Sequence, residues 1–186
     1  VLFRSGAGPD QQLFQLDATQ ANIERRNRDG SLGKSSVILF ATHALIGGGP
    51  DDSQAEPALA LTPGPHAAGT ALDPANDGLL TASEVAQLRL NAALVILSAC
   101  NTAAGSGDGE GFSGLTRAFL LAGARAVLAS YSPVVDEVAG RLTTTTVAEM
   151  RDTHGDIAAA LREAMRHAYP GRKIHWCLCQ IGRAHV

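Results

Sequence analysis

The stretch LVILSACNT, residues 94–102, decides the fold class of this chain. Four apolar residues, of the kind that fill a strand buried on both faces, lead towards Cys100, and a glycine-rich segment follows. A second apolar stretch, VILFAT at residues 37–42, ends in the same way, directly before His43. The carboxyl ends of parallel strands meet at one edge of a sheet, where open α/β folds place their reactive groups. We therefore expect Cys100 and His43 to lie close together at this edge.

The size and composition predict one globular α/β domain. The chain has 186 residues, of which 45% are hydrophobic and only 4% aromatic, and this profile argues against disorder. A net charge of −3 without a basic face gives no reason to expect a nucleic-acid partner. No apolar run approaches the ~18 residues of a membrane span, so we expect no membrane partner. Three cysteines do not make a disulfide framework, which favours a reducing compartment such as the cytoplasm.

Predicted strands and helices alternate along the chain. We expect strands over residues 37–42, 58–62, 94–100, 126–131 and 174–180. We expect one helix over residues 18–28, capped by Asp17, and a second over 81–90, opened by a capping box at Thr81 and Glu84. A third helix ends at Gly123, and two more cover residues 135–151 and 156–168. Such alternation predicts a mostly parallel sheet with helices on both faces.

Both ends of the chain resemble translated sequencing-adapter DNA, at residues 1–5 and 181–186. We expect the chain to be a fragment of a longer open reading frame. On this basis residues 1–16 form an N-terminal edge, residues 17–180 form the folded domain, and residues 181–186 form an adapter-derived tail.

The cysteine and histidine are a pair that nucleophilic catalysis requires. A single Cys is most often a small buried hydrophobe, but here Cys100 and His43 each follow an apolar strand. A thiolate is the nucleophile, and a neutral imidazole can take the thiol proton and later protonate the departing amine. His43 lies 57 positions before Cys100, close to the spacing of caspase-type proteases. The amides of Ala44 and Cys100 are candidate donors to the oxyanion.

Several motifs together resemble those of the CHAT domain family, which comprises caspase- and separase-like cysteine peptidases that often follow TPR arrays. In chain order they are FATH at 40–43, DGLLTASE at 77–84, LSACNT at 97–102, GEG at 109–111, LTRAF at 115–119, AGAR at 122–125 and SYSPVVD at 130–136. The resemblance covers roughly residues 17–168. It implies a caspase-like three-layer sandwich, with His43 as general base and Cys100 as nucleophile. It also implies a protein or peptide substrate, no metal or other cofactor, and an upstream TPR or regulatory domain missing from this fragment.

The chain departs from the family pattern at two places. Ala44 stands where the family usually has glycine, and its methyl group crowds the oxyanion position. Ser132 replaces the usual tryptophan and Val135 an acidic residue, while Asp136 is retained. The segment that begins at Ser130 borders the substrate pocket in this resemblance. These departures leave open an alternative function, a catalytically weak or inactive CHAT-type interaction or signalling module.

The acidic residues near the proposed nucleophile suggest a substrate preference. Asp108, Glu110 and Asp136 can form an acidic wall that selects a basic P1 side chain. The alternative is that Asp108 and Glu110 are solvated loop charges and that Asp136 is a carboxylate at a helix N-terminus, which the helix dipole favours.

A nucleotide-binding site and a zinc site are less well supported. Residues 109–114 satisfy G-x-G-x-x-G, but about nine residues separate this motif from the preceding strand, where a dinucleotide fingerprint needs a tight turn. Cys177 and Cys179, with His175 nearby, lack the second ligand pair of a structural zinc site. A strand that places both cysteines on one face is the simpler interpretation.

Overall fold

The structure, a computed structural model, describes residues 12–45, 56–64, 76–98, 114–130, 136–168 and 176–180. Its helices are α1 (Gln20–Arg28), α2 (Ala82–Ala86), α3 (Gly114–Leu121), α4 (Asp136–Asp152) and α5 (Ile157–Ala168). Its strands are β1 (Val37–Ala41), β2 (Ala44–Leu45), β3 (Ala58–Ala60), β4 (Leu79–Thr81), β5 (Leu94–Ser98), β6 (Ala126–Ser130) and β7 (Trp176–Gln180). The α/β class predicted from the sequence is confirmed.

The main sheet has the strand order β1-β5-β6-β7 over the described residues. β1, β5 and β6 are parallel, and β7 pairs antiparallel with β6. The burial of β5 and β6 is nearly complete along their length, as expected of central strands covered on both faces. The mostly parallel sheet is thus confirmed, with one antiparallel strand.

A second, smaller sheet was not predicted. Over the described residues it has the order β2-β3-β4, and both of its pairings are antiparallel. β2 and β4 have two and three residues, too few to show the alternation by which a strand is recognised. β3 is shorter than the predicted strand, which extended to Thr62.

Apolar residues cover the main sheet on both sides. Alternate residues of β5 belong to two separate cores, because successive side chains of a strand point to opposite faces. Val95 and Leu97 pack with α1, α2, α3 and the inner side of the small sheet. Leu94 and Ile96 pack with α4 and α5. The predicted helices therefore lie on both faces of the sheet.

Two predicted helix boundaries were wrong. α1 begins at Gln20, and its cap is Thr19 rather than Asp17, since the Thr19 hydroxyl accepts a hydrogen bond of 3.2 Å from the Asn22 amide. α2 has the predicted capping box but ends at Ala86. Beyond it the chain turns, and the Leu90 amide donates to the Ala122 carbonyl at 2.8 Å, which ties this segment to the end of α3.

Candidate active site

The two strands that lead to the proposed catalytic residues are level with each other. β1 and β5 are parallel neighbours, and the last residue of β1, Ala41, pairs with the last residue of β5, Ser98. His43 and Cys100 each follow two positions later. Both strands therefore end at the same edge of the sheet. Cys100 lies outside the described residues, so its approach to His43 stays a prediction.

His43 is held by its backbone, and its side chain is exposed. Its carbonyl accepts a hydrogen bond of 2.9 Å from the Ala60 amide. The hydroxyl of Thr42 donates to the Ala60 carbonyl, so two neighbouring residues of the chain are fastened to the same residue of β3. An imidazole on a fixed backbone and open to solvent is suited to exchange protons with a bound substrate.

The register of the small sheet sets the direction of the Ala44 amide. His43 and Ala60 form a hydrogen-bonded pair, so Ala44 and Leu59, the next pair in register, are a non-hydrogen-bonded pair. The N–H of Ala44 consequently points away from β3. Its donor is directed outside the β2–β3 ladder, as the proposed oxyanion role requires.

Of the four residues proposed to contact substrate, two lie in described elements and two do not. Ser130 ends β6, beside Ser98, because Leu97 and Ala129 pair one position earlier. It therefore stands at the same edge as the candidate dyad, but its side chain is buried, with 2% exposed. Asp136 is the first residue of α4, as the helix-terminus alternative expects. Asp108 and Glu110 lie outside the described residues, and the acidic wall stays a prediction.

The competing ligand sites gain no support from the described residues. Within the ranges that the structure describes, no group of three or more His, Cys, Asp or Glu residues is placed to hold a metal ion. Cys177 and Cys179 occupy alternate positions of β7, opposite Ala129 and Val127. The proposed G-x-G-x-x-G motif lies outside the described residues except for Gly114, which begins α3.

One polar residue of this region was missed by the sequence analysis. Gln20 is buried, with 1% exposed, and its side chain accepts from the Gly78 amide and donates to the Leu79 carbonyl. The available signal is its spacing from Ile23, a buried residue one helical turn later, which places a polar side chain on the apolar side of α1.

Comparison with known proteins identifies the family. The family model described as CHAT domain matches residues 4–183. The chain belongs to the CHAT domain family. This CHAT domain is also 46% identical over 61 residues to Tetratricopeptide repeat protein 28 of Mus musculus. That match covers 33% of this chain and 2% of the mouse protein.

Within the part of this CHAT domain that the structure describes, none of the helices is long and apolar enough to cross a bilayer.

Proposed function

We propose that this CHAT domain is a caspase-like cysteine endopeptidase that hydrolyses peptide bonds in protein substrates. The observation that carries the proposal is the level ending of β1 and β5 at Ala41 and Ser98. Both strands end at one edge of the sheet, and His43 and Cys100 follow them in sequence by the same two positions. Membership of a family related to caspase-like peptidases agrees with this arrangement.

The proposed reaction begins with transfer of the Cys100 thiol proton to His43. The thiolate attacks the carbonyl carbon of the scissile bond, and the amides of Ala44 and Cys100 stabilise the oxyanion that forms. His43 then protonates the departing amine as the C–N bond breaks, which leaves a thioester on Cys100. A water molecule, deprotonated by His43, attacks the thioester and releases the acid product.

Substrate recognition is proposed to come from the surrounding loops. Ser130 borders the pocket, and Asp108, Glu110 and Asp136 select a basic P1 side chain. We also propose that the domain works in a reducing compartment, the cytoplasm, with a TPR segment in the same protein. The similarity to a mouse protein named for tetratricopeptide repeats supports this last point.

The test is covalent labelling with an electrophilic peptide, mapped by mass spectrometry. We expect selective modification of Cys100, with Cys177 and Cys179 as internal controls. His43→Ala should lower the labelling rate by about a hundredfold or more, the usual contribution of a general base. His167→Ala is the matched control, because His167 is also an exposed histidine, on α5. Equal labelling of the three cysteines, or a rate that does not depend on His43, would contradict the proposal.

The same probe tests the acidic wall when its P1 residue is varied. Probes with Arg or Lys at P1 should label Cys100 fastest, because a wall of carboxylates attracts a positively charged side chain. A preference for Asp or for an apolar residue would reject the wall without affecting the dyad.

A further inference from the structure

The side chain of Gln20 clamps the start of β4. Its Nε2 donates to the Leu79 carbonyl at 2.7 Å, and its Oε1 accepts from the Gly78 amide at 2.9 Å. Nε2 also lies 3.2 and 3.3 Å from the two carboxylate oxygens of Glu84. Both ends of the amide are therefore used, in a place with almost no solvent contact. A buried polar group of this kind is costly unless it is fully bonded, so the geometry is well defined.

The turn held by Gln20 is itself sharply constrained. Gly78 has φ +91°, and a Cβ there would meet the Pro63 side chain at 2.9 Å and the Leu61 carbonyl at 3.0 Å. The Gly78 carbonyl accepts a hydrogen bond of 2.6 Å from the Leu61 amide. Gly78 therefore lies between α1 on one side and the end of β3 on the other.

The small sheet continues this connection as far as His43. Leu79 pairs with Ala60 across β4 and β3, and the Ala60 amide donates to the His43 carbonyl. The Ala60 amide and carbonyl face away from β4, where they bond His43 and Thr42, so the Leu79 carbonyl faces away from β3, towards Gln20. One row across the small sheet thus joins Gln20 on α1 to the proposed general base.

A second contact joins the start of α1 to the small sheet. The Thr62 amide donates to the Ala18 carbonyl at 2.9 Å, and the Thr62 hydroxyl donates to the Gln15 carbonyl at 2.6 Å. Thr62 follows β3 by two residues. The chain around the start of α1 therefore holds both the end of β3 and the start of β4.

We propose that Gln20 is a positioning residue for His43, acting through the row Leu79–Ala60–His43. This inference rests on the proposed function, in which His43 is the general base. Gln20 does not touch substrate. Its role is to keep β4, and through it β3, in the position that places the His43 backbone level with the carboxyl end of β5.

The experiment replaces Gln20 by methionine, which has a similar shape but neither bonds Gly78 nor donates to Leu79. We expect the ring signals of His43 in NMR spectra to shift and the Ala60 amide to exchange faster with solvent. We also expect Cys100 to be labelled about tenfold more slowly, with a changed pH midpoint, because His43 should move by only part of the ~1 Å misplacement that costs on the order of a hundredfold.

Two variants separate positioning from stability. Gln87→Met makes the same change at an exposed glutamine, whose side chain donates to the Ser83 carbonyl and does not bond Gly78 or Leu79. It should leave the His43 signals unchanged. Leu161→Ala creates a cavity in the opposite core, so it should lower the unfolding midpoint without shifting the His43 signals or the pH midpoint of labelling.

The outcomes distinguish the two proposals. If Cys100 shows no reactivity that depends on His43, the proposed function fails, while the NMR shift still tests the positioning. If Gln20→Met leaves the His43 signals and the Ala60 exchange as in the unmodified chain, the positioning role is overturned. Should Gln20→Met not fold, Gln20→Asn keeps a polar amide but is one methylene too short to bond both Gly78 and Leu79. It should shift the same signals to a smaller extent, and no shift would again overturn the role.

Discussion

Gly123 is the residue at which backbone conformation most directly limits substitution. Its φ of +106° lies in the left-handed region, and a Cβ there would clash with the Leu90 carbonyl oxygen. Gly123→Ala should therefore lower the free energy of unfolding by about 2 kcal/mol or more. Gly140, inside α4 with open space around it, is the matched control, and Gly140→Ala should raise the free energy of unfolding by about 0.5–1 kcal/mol. Urea titrations compare the two, and equal effects would contradict the argument.

Single residues differ in how visible their role is in the sequence. Gly123 was recognised as a helix stop and Thr81 with Glu84 as a capping box, because both depend on neighbours within a few positions. Gln20 was not recognised, since its partners Gly78 and Leu79 are 58 and 59 positions away. A polar residue on an apolar helix side shows that a partner exists but not which one.

The start of α1 offers a test at the scale of one element. The Thr19 side chain accepts the Asn22 amide and is 7% exposed, whereas Asp17 is exposed in a short 3-10 helix before it. Thr19→Ala should therefore cost about 1 kcal/mol of unfolding free energy, the usual value of a cap. Asp17→Ala should change it by less than about 0.5 kcal/mol. Chemical denaturation of both variants checks this, and the reverse order would restore Asp17 as the cap.

α4 contains a threonine run, residues 143–146, that is unusual for a helix. The structure accounts for its buried members. The hydroxyls of Thr143 and Thr146 donate to the carbonyls of Ala139 and Leu142, four residues earlier, at 2.9 and 2.7 Å. These side chains are thus satisfied inside their own helix, and their methyl groups are free to pack.

Elements were predictable according to their length. The five-residue apolar strands β1 and β6 were expected within one residue of their ends, and β5 within two. β2 and β4 were not, because their pairing with β3 is decided by contacts distant in sequence. The small sheet beside His43 is thus the part of the fold that the sequence pattern conceals.

At the scale of the whole molecule, the two cores predict independent contributions to stability. Ile23 lies in the core under α1 and Ile157 in the core under α5. Each Ile→Val change should cost about 0.5–1.5 kcal/mol, and the double variant should equal their sum within about 0.5 kcal/mol.

Phe40 and Phe119 provide the contrast for this test, because their ring centroids are 5.2 Å apart in the same core. Leucine substitutions there should not add, since the two rings contact each other. Unfolding curves of single and double variants give both coupling energies. Strong coupling between Ile23 and Ile157 would show that the sheet does not separate the cores.

The candidate site was predictable to the extent that sheet topology determines it. Parallel strands ending before His43 and near Cys100 were enough to predict a shared edge, and the pairing of Ala41 with Ser98 agrees. The burial of Ser130 and the direction of the Ala44 amide were not predictable. They depend on the packing and register of the completed sheets.

The antiparallel strand β7 affects how copies of the chain can associate. It covers the flank of β6 along all five residues from Ala126 to Ser130. Shortened before Trp176, the chain would leave these five residues with unpaired backbone groups on that flank, which could accept a strand from a neighbouring molecule. β7 therefore occupies the backbone groups of β6 that a strand from another molecule would otherwise pair with.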